Sequence, residues 1–182
     1  MKAHATSIVD PAAVVADDVE IGPFCVVGPK VRIGAGCRLV GRVILTGPIA
    51  AGCRNVFHPN VAIGGAPQTS EPVATDGRIE IGDDNVFREG ASVHLPSAPG
   101  GITRIGSRNT FYPCSTVGHD CSIGDDIVVG PFAGLGGHTV VQNRARIDGS
   151  GGTNERVTIG EGSRLESHLT AEADVPSVRS TP

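Results

Sequence analysis

The sequence has 182 residues with 39% hydrophobic residues and a net charge of −4, which suits one domain with a buried core. The acidic balance argues against a nucleic-acid-binding protein, and no stretch stays apolar over the ~18 residues that a membrane span needs. The hydrophobic residues include 22 Val and 14 Ile but only 6 Leu, and the chain also has 26 Gly and 13 Pro. Because β-branched side chains suit pleated surfaces better than helices, this composition predicts an all-β protein with short strands and tight turns.

The amino terminus and the cysteines both indicate a reducing compartment. Residues 1–10 lack the apolar core of a secretory signal peptide. No Cys-x-x-Cys pair occurs, so the sequence predicts neither a disulfide framework nor a zinc knuckle. We therefore expect a cytoplasmic protein. The five cysteines are at positions 25, 37, 53, 114 and 121.

A period of six residues runs through the chain from Val9 to Leu165. At a 39% hydrophobic content, ten successive apolar residues at this spacing would arise by chance with a probability of about 10⁻⁴. A smaller residue, such as Cys25 or Cys121, follows each large one four positions later, and the later part of the period breaks at Thr153. The first ten positions are Val9, Val15, Ile21, Val27, Ile33, Leu39, Leu45, Ala51, Phe57 and Ile63.

This hexapeptide pattern predicts a parallel β-helix over residues 1–170, followed by a short tail at 171–182. Three hexapeptides form a triangular coil of ~18 residues, and roughly eight to nine coils would stack about 4.8 Å apart through main-chain hydrogen bonds. By similarity to hexapeptide proteins, we expect a left-handed helix. Since a solenoid of this kind has open ends and three flat faces, we also expect a homotrimer.

Two segments interrupt the strands without shifting the period. They cover about residues 64–80 and 94–104, and both are rich in Pro and Gly. We expect both segments to project from the β-helix as loops. Binding residues are common on loops that a rigid scaffold positions, so a ligand site is expected nearby.

The histidines His119 and His138 are the main candidates for chemistry. They are 19 residues apart, so they should lie on the same region of the coil and about one coil apart. His119 comes two residues after an interior position, so its side chain is expected to point outward, toward a neighbouring subunit. Asp120 follows it directly and could orient it as a base. Spacing alone leaves open the alternative that both are solvated turn histidines.

The remaining polar and reactive groups favour structural roles. Three acidic doublets, at 17–18, 83–84 and 125–126, recur two and three residues after an interior aliphatic and are predicted to cap turns. Cys37 and Cys121 fit the small interior position, where a thiol acts as a small hydrophobe. A zinc site like that of hexapeptide carbonic anhydrases needs two closely spaced histidines, which the sequence lacks. We therefore expect neither a metal nor another cofactor.

Four stretches of the sequence carry a family resemblance in colinear order over about residues 5–150. They read IGPFCVVGPKVRIGAGCRLVGRVILTG at 21–47, AIGGAPQ at 62–68 with RIEIGDDNVFRE at 78–89, GGITRIGSRN at 100–109 leading into VGHDCSIGD at 117–125, and LGGHTVV at 135–141. These stretches resemble the UDP-N-acetylglucosamine O-acyltransferases, which start lipid A synthesis. The His-Asp-Cys run also occurs in sugar acetyltransferases, whereas the Gly-Gly-Ala-Pro-Gln run is more specific to the acyltransferases.

The resemblance implies direct acyl transfer from an acyl carrier protein thioester to a hydroxyl of a UDP-sugar, with no covalent enzyme intermediate. It implies that His119 is the general base, that Asp120 orients it, and that the N–H of Gly137 stabilises the oxyanion. It also implies three residues that contact the substrate. These are Gln68, His94 and His138.

The sequence departs from the family pattern at several positions. Thr69 and Glu71 stand where a carboxylate and a lysine are expected, and residues 94–97 read His-Leu-Pro-Ser in place of His-Arg-Gly-Thr. Family members also continue beyond the match at residues 174–176 into a helical domain, which we expect this protein to lack. We therefore expect weak binding of UDP-N-acetylglucosamine. Two alternatives stay open: an acetyl-CoA-dependent sugar acetyltransferase, and a non-catalytic β-helix that serves as a binding module.

Overall fold

The computed structural model describes residues 1–70 and 76–178, and all the regular structure in these ranges is β. Its 26 short strands lie in three parallel sheets of nine, nine and eight strands. Successive strands belong to different sheets, and each pairs with the strand three further along, so the chain winds around a triangular prism. The predicted left-handed parallel β-helix is therefore confirmed. In these ranges no helix is long and apolar enough to span a bilayer.

The strands form the three faces of the prism, here called sheets A, B and C. Sheet A contains Lys2–Ala3 (β1), Glu20–Ile21 (β4), Arg38–Leu39 (β7), Val56–Phe57 (β10), Val86–Phe87 (β13), Thr110–Phe111 (β16), Val128–Val129 (β19), Arg146–Ile147 (β22) and Arg164–Leu165 (β25). Sheet B contains Ile8–Val9 (β2), Val26–Val27 (β5), Ile44–Leu45 (β8), Ala62–Gly65 (β11), Ser92–His94 (β14), Thr116–Val117 (β17), Gly134–Leu135 (β20), Gly152–Thr153 (β23) and Thr170–Ala171 (β26). Sheet C contains Val14–Val15 (β3), Val31–Ile33 (β6), Ile49–Ala51 (β9), Arg78–Ile81 (β12), Ile102–Ile105 (β15), Ser122–Ile123 (β18), Val140–Val141 (β21) and Thr158–Ile159 (β24).

The interior of the prism is filled by the residues that define the six-residue period. In sheet A, the rings of Phe57, Phe87 and Phe111 stack in successive coils, with centroid separations of 5.1 and 4.8 Å. Cys37 and Cys121 are fully buried at the small positions, as predicted. The alternation of one buried and one outward residue in each two-residue strand turns the sequence period directly into a core.

Two connections from sheet B to sheet C are longer than a turn: the first loop includes residues 66–70 and 76–77, with residues 71–75 outside the described part, and the second loop covers 95–101. Both loops are shorter than the predicted 64–80 and 94–104. The reason is that β12 and β15 pair along their whole length, from Arg78 with Ile102 to Ile81 with Ile105. The predicted limits therefore included strand residues.

The carboxy-terminal stretch continues the prism past the predicted boundary at residue 170. That boundary falls inside β26, which pairs with β23 in sheet B. Further along, Val175 forms a parallel bridge with Ile159. Residues up to 175 therefore add to the last coil.

The acidic doublets lie at the corner between sheets C and A, here called the C–A corner. Asp83 Oδ1 accepts a hydrogen bond from the Cys53 N–H at 2.7 Å, and Asp125 Oδ1 accepts one from the Ser107 N–H at 2.8 Å. The second residue of the later doublet, Asp126, pairs with an arginine of the preceding coil. Both doublets therefore cap turns, as predicted.

Candidate functional site

The candidate residues lie at the corner between sheets B and C, here called the B–C corner. It consists of residues 66–70 and 76–77 of the first loop, of the second loop at 95–101, and of the turns at 118–120 and 136–138 in the next two coils. The N–H of His138 donates a hydrogen bond to the carbonyl of His119 at 2.9 Å. The two imidazole rings meet edge to face, with centroids 5.2 Å apart. The two histidines are thus one coil apart, as their spacing predicts.

His119 is buried, with only 4% of its surface exposed. A Cβ atom on Gly137 would lie 2.5 Å from both Cε1 and Nε2 of the His119 ring, so the ring fits against Gly137 only because that residue has no side chain. The next coil therefore covers the ring. His119 is not a solvated turn histidine.

Asp120 fixes the other edge of the His119 ring. Its Oδ2 atom lies 2.9 Å from His119 Nδ1 and accepts two hydrogen bonds from Ser97, at 2.8 Å from the N–H and 2.7 Å from the hydroxyl. Its own N–H donates to Thr103 Oγ1 at 2.9 Å. Burial opposes the ionisation of Asp120, but the Ser97 and His119 hydrogen bonds and the nearby His138 together hold its pKa below the ordinary value.

The ionised Asp120 determines which nitrogen of His119 is free. A carboxylate can only accept hydrogen bonds, so Nδ1 must carry the proton that points at Asp120. The lone pair is then on Nε2, at the edge that faces Gly137. Within residues 1–70 and 76–178, the N–H of Gly137 donates to no protein group, while its carbonyl accepts from the Arg156 N–H at 2.9 Å. The corner therefore presents a proton acceptor and an open N–H donor next to each other.

His138 brings a second imidazole to the same carboxylate. Its Nε2 atom lies 3.7 Å from Asp120 Oδ2, and its side chain is partly exposed. The ligand atoms of His119, Asp120 and His138 lie within 4.8 Å of one another, close enough to hold a metal ion. The sequence argument that no close histidine pair exists is thus wrong in three dimensions. The three hydrogen bonds on one Asp120 oxygen nevertheless favour a histidine–carboxylate pair over a metal centre.

The residues implied to contact substrate, His94 and Gln68, lie on earlier coils of the same corner. Nδ1 of His94 is 2.8 Å from the carbonyl of Ala66, to which it donates, so His94 ties β14 to the first loop. Gln68 is exposed in that loop, two residues further along. The departure at Glu71 lies outside the described residues.

Sequence reasoning missed Ser97 and Thr103, which both bond to Asp120. The signal was available in part, because the stacking that places His138 over His119 also places the second loop one coil before Asp120. Ser97 and Thr103 precede Asp120 by 23 and 17 residues. Only the second value is close to one coil, and the first depends on the path of the loop.

A family model and curated relatives match parts of this chain. Residues 12–47 match the family model described as bacterial transferase hexapeptide, six repeats. A protein of Syntrophobacter fumaroxidans named acyl-[acyl-carrier-protein]–UDP-N-acetylglucosamine O-acyltransferase is 43% identical over 138 residues, which cover 75% of this chain and 54% of the relative. The chain spans about half the length of the curated relatives that it matches.

Solved structures extend the likeness over nearly the whole chain. The UDP-N-acetylglucosamine O-acyltransferase (LpxA) of Moraxella catarrhalis is 32% identical with a TM-score of 0.83, and the match covers 91% of this chain and 67% of that one. LpxA of Acinetobacter baumannii is 31% identical with a TM-score of 0.82, over 95% of this chain and 69% of that one.

Proposed function

Because the chain belongs to the UDP-N-acetylglucosamine O-acyltransferase family, we propose that it is an acyltransferase that uses an acyl carrier protein thioester. The acceptor would be a hydroxyl of a UDP-sugar such as UDP-N-acetylglucosamine. The observation that carries the proposal is the buried His119–Asp120 pair, whose Nδ1–Oδ2 distance is 2.9 Å and whose free Nε2 faces Gly137.

In the proposed reaction, His119 acts as a general base. Its Nε2 takes the proton of the sugar hydroxyl while the hydroxyl oxygen forms a bond to the thioester carbonyl carbon. The tetrahedral intermediate then collapses, the C–S bond breaks, and the imidazolium returns the proton to the departing thiolate. Asp120 stabilises the imidazolium in between. Such proton transfer accelerates reactions by typically ~10²–10⁴-fold, which a weakly nucleophilic hydroxyl requires.

The N–H of Gly137 would stabilise the oxyanion of that intermediate. Its lack of a protein acceptor in the described ranges supports this role, since a donor held open needs no rearrangement when negative charge develops. Gly137 also lies against the base, so the oxyanion and the attacking hydroxyl would share one small space.

Substrate contacts would come from the same corner. Gln68 and the first loop lie on the coil of β11, His94 on that of β14, and His138 one coil beyond His119. A substrate along the B–C corner would pass these residues in turn. We assign Gln68, His94 and His138 to binding rather than to proton transfer.

We also propose that the protein is a homotrimer packed through sheet B. The outward residues of this sheet carry no charge along its length, whereas sheets A and C carry arginines and glutamates on their outward faces. A second copy on sheet B would border the B–C corner and help to enclose the site. Light scattering should then give about three times 18.6 kDa, and a stable monomer would contradict this assembly. The outward residues of sheet B are Ile8, Val26, Ile44, Ala62, Ser92, Thr116, Gly134, Gly152 and Thr170.

The cytoplasm is the compartment that fits this reaction best. All five cysteines are free, and three of them are buried. Free thiols persist where the environment is reducing. We therefore propose a cytoplasmic enzyme.

The decisive experiment offers the protein a mixture of thioester donors and UDP-sugars and identifies products by mass spectrometry. The donors are acyl carrier proteins with different acyl chains, together with acetyl-CoA. Acyl-sugar formed from the carrier-protein thioesters alone is the expected result, and product from acetyl-CoA alone would favour a sugar acetyltransferase. Titration calorimetry with UDP-N-acetylglucosamine in the same series tests the expected weak binding.

His119→Ala should lower kcat by ~10²–10⁴-fold, because it removes the proposed general base. Asp120→Asn should cost less, since the imidazole remains. His168→Ala is the control, because His168 is an exposed turn histidine at another corner. Near-normal turnover of His119→Ala with the true substrate would refute the mechanism.

A further inference from the structure

Ser97 contacts Asp120 of the His119–Asp120 pair from the second loop, at a position to which the family resemblance assigns no role. We infer that Ser97 is a positioning residue for the proposed acyl transfer: it locks Asp120 onto His119 and thereby keeps His119 Nε2 free to act as the base. The inference rests on the proposed function and adds to it a residue that the family resemblance does not implicate.

The second loop holds Asp120 from three directions. Ser97 donates to Oδ2 twice, at 2.8 Å from its N–H and 2.7 Å from its hydroxyl. Thr103, just beyond the loop, accepts the Asp120 N–H at 2.9 Å. A Cβ atom on Gly101 would lie 2.9 Å from Asp120 Oδ1, so the loop backbone closes against the other oxygen. The Asp120 side chain is left 9% exposed, and contacts from the second loop hold its orientation.

This orientation matters because two histidines compete for the same oxygen. Asp120 Oδ2 lies 2.9 Å from His119 Nδ1 and 3.7 Å from His138 Nε2. A small rotation of the carboxylate would move the oxygen from one imidazole toward the other. The two donors of Ser97 hold it on the His119 side, so they select which histidine receives the carboxylate.

Ser97 also favours the charged form of Asp120. Each hydrogen bond to Oδ2 stabilises the carboxylate and not the carboxylic acid. A protonated or rotated Asp120 would no longer demand a proton on His119 Nδ1, and the ring could carry its proton on Nε2 instead. In that tautomer Nε2 cannot accept the proton of the substrate hydroxyl.

The test compares Ser97→Ala with Ser97→Thr in the full-length protein. Ser97→Ala keeps the backbone N–H but loses the hydroxyl donor, so kcat should fall roughly tenfold, or about 1.4 kcal/mol. KM for both substrates should stay within about twofold because Ser97 does not touch the reacting groups. The acid limb of the kcat/KM profile should also shift, because losing a donor to Oδ2 changes how strongly the Asp120 carboxylate holds the protonated His119. Ser97→Thr restores a hydroxyl and should recover both values.

Ser163→Ala is the matched control, since its buried hydroxyl bonds to the Gly160 carbonyl at 2.6 Å, away from the B–C corner. It can change stability but should leave the pH profile unmoved. Unchanged kcat and pH limb in Ser97→Ala would overturn the inference. A rise in KM alone would overturn it too, because that result indicates a substrate contact.

A readout without substrate separates this inference from the proposed function. Nitrogen NMR of the His119 ring reports whether Nδ1 or Nε2 carries the proton. The proton should be on Nδ1 in the unaltered protein and in Ser97→Thr, with the Nε2–H form increased in Ser97→Ala. If no donor and acceptor pair reacts, the acyltransferase proposal fails while this measurement still decides the role of Ser97. Identical tautomers in all three proteins would refute that role.

Discussion

The C–A corner and the B–C corner are built from the same kind of turn, but the N–H groups of their turns differ in hydrogen bonding. Each turn has two central residues, and the second of them has a positive φ at both corners. The values are 59° at Asp84 and Asp126, and 58° and 60° at Asp120 and His138. The backbone of the two corners is therefore equivalent. Their difference must come from the side chains that the sequence places there.

At the C–A corner, hydrogen bonds join the turns of successive coils. The N–H of the first turn residue donates to a side chain of the following coil in four successive coils. At the B–C corner, the first turn residues His119 and Gly137 have N–H groups without a protein acceptor in the described ranges. The C–A corner thus bonds these four coils in series as a closed ladder, whereas these two N–H groups of the B–C corner have no protein acceptor in the described ranges. The four ladder bonds are Cys53 to Asp83 at 2.7 Å, Asp83 to Ser107 at 3.0 Å, Ser107 to Asp125 at 2.8 Å and Asp125 to Asn143 at 2.8 Å.

The largest effect is expected from Gly137→Ala, which adds one methyl group to the B–C corner beside His119. In Gly137→Ala the new Cβ would lie 2.5 Å from His119 Cε1 and Nε2, so the ring must move and its lone pair is covered. We expect kcat to fall by at least ~10²-fold, the lower end of what a positioned base contributes. Steady-state kinetics with the identified substrates measures it.

Gly28→Ala is the control for this variant, because Gly28 precedes a turn of the same corner and the nearest atom to its added Cβ is 3.5 Å away. Its kinetics should match those of the unaltered protein. Full activity of Gly137→Ala would mean that the space between Gly137 and His119 is not where the chemistry occurs.

The closed ladder should respond to substitution in the opposite way, through stability alone. Beneath the C–A corner, the amides of Asn55, Asn85 and Asn109 are fully buried and bond in series, with Asn85 N–H to Asn55 Oδ1 and Asn109 N–H to Asn85 Oδ1 both at 2.9 Å. Asn85→Ala leaves the Asn109 N–H without its acceptor, so the free energy of unfolding should fall by ~2–4 kcal/mol. Urea denaturation at a fixed protein concentration measures the loss.

The turnover of Asn85→Ala at 25 °C should stay normal, since the ladder does not contact the B–C corner. A fall in kcat without a change in stability would show that the two corners are not independent. The two measurements together therefore test whether the C–A corner and the B–C corner act independently.

The sequence predicts the prism well because a short local repeat determines which residues lie in its interior. The six-residue period from Val9 to Leu165 identifies the interior residues, and the recurrence of the acidic doublets identifies the C–A turns. Both predictions depend only on residues within one or two hexapeptides of each other. The one-coil separation of His119 and His138 follows from the same arithmetic.

The burial of His119 and the role of Ser97 could not be predicted in this way. Ring burial depends on the absence of a side chain at Gly137, one coil away, and the Gly-Gly run there is a weak signal by itself. Ser97 reaches Asp120 through a loop whose path has no period. The error on the metal argument has the same origin, since histidines distant in sequence are neighbours across coils.

The smallest expected effect concerns the exposed ion pair of the C–A corner, Arg54 with Asp84 at 2.7 Å. The hydrogen bond from Arg54 lowers the pKa of Asp84 below its ordinary value. A depressed folded pKa contributes stability above the unfolded pKa of about 4, and this contribution is lost as pH falls through the folded value. Asp84→Asn should therefore lower the melting temperature slightly at pH 7 and by less than Asn85→Ala. The difference should vanish in strong acid and shrink in high salt, because solvent and ions screen an exposed pair. A difference that persists at acid pH would mean that Asp84 acts through its backbone turn instead of its charge.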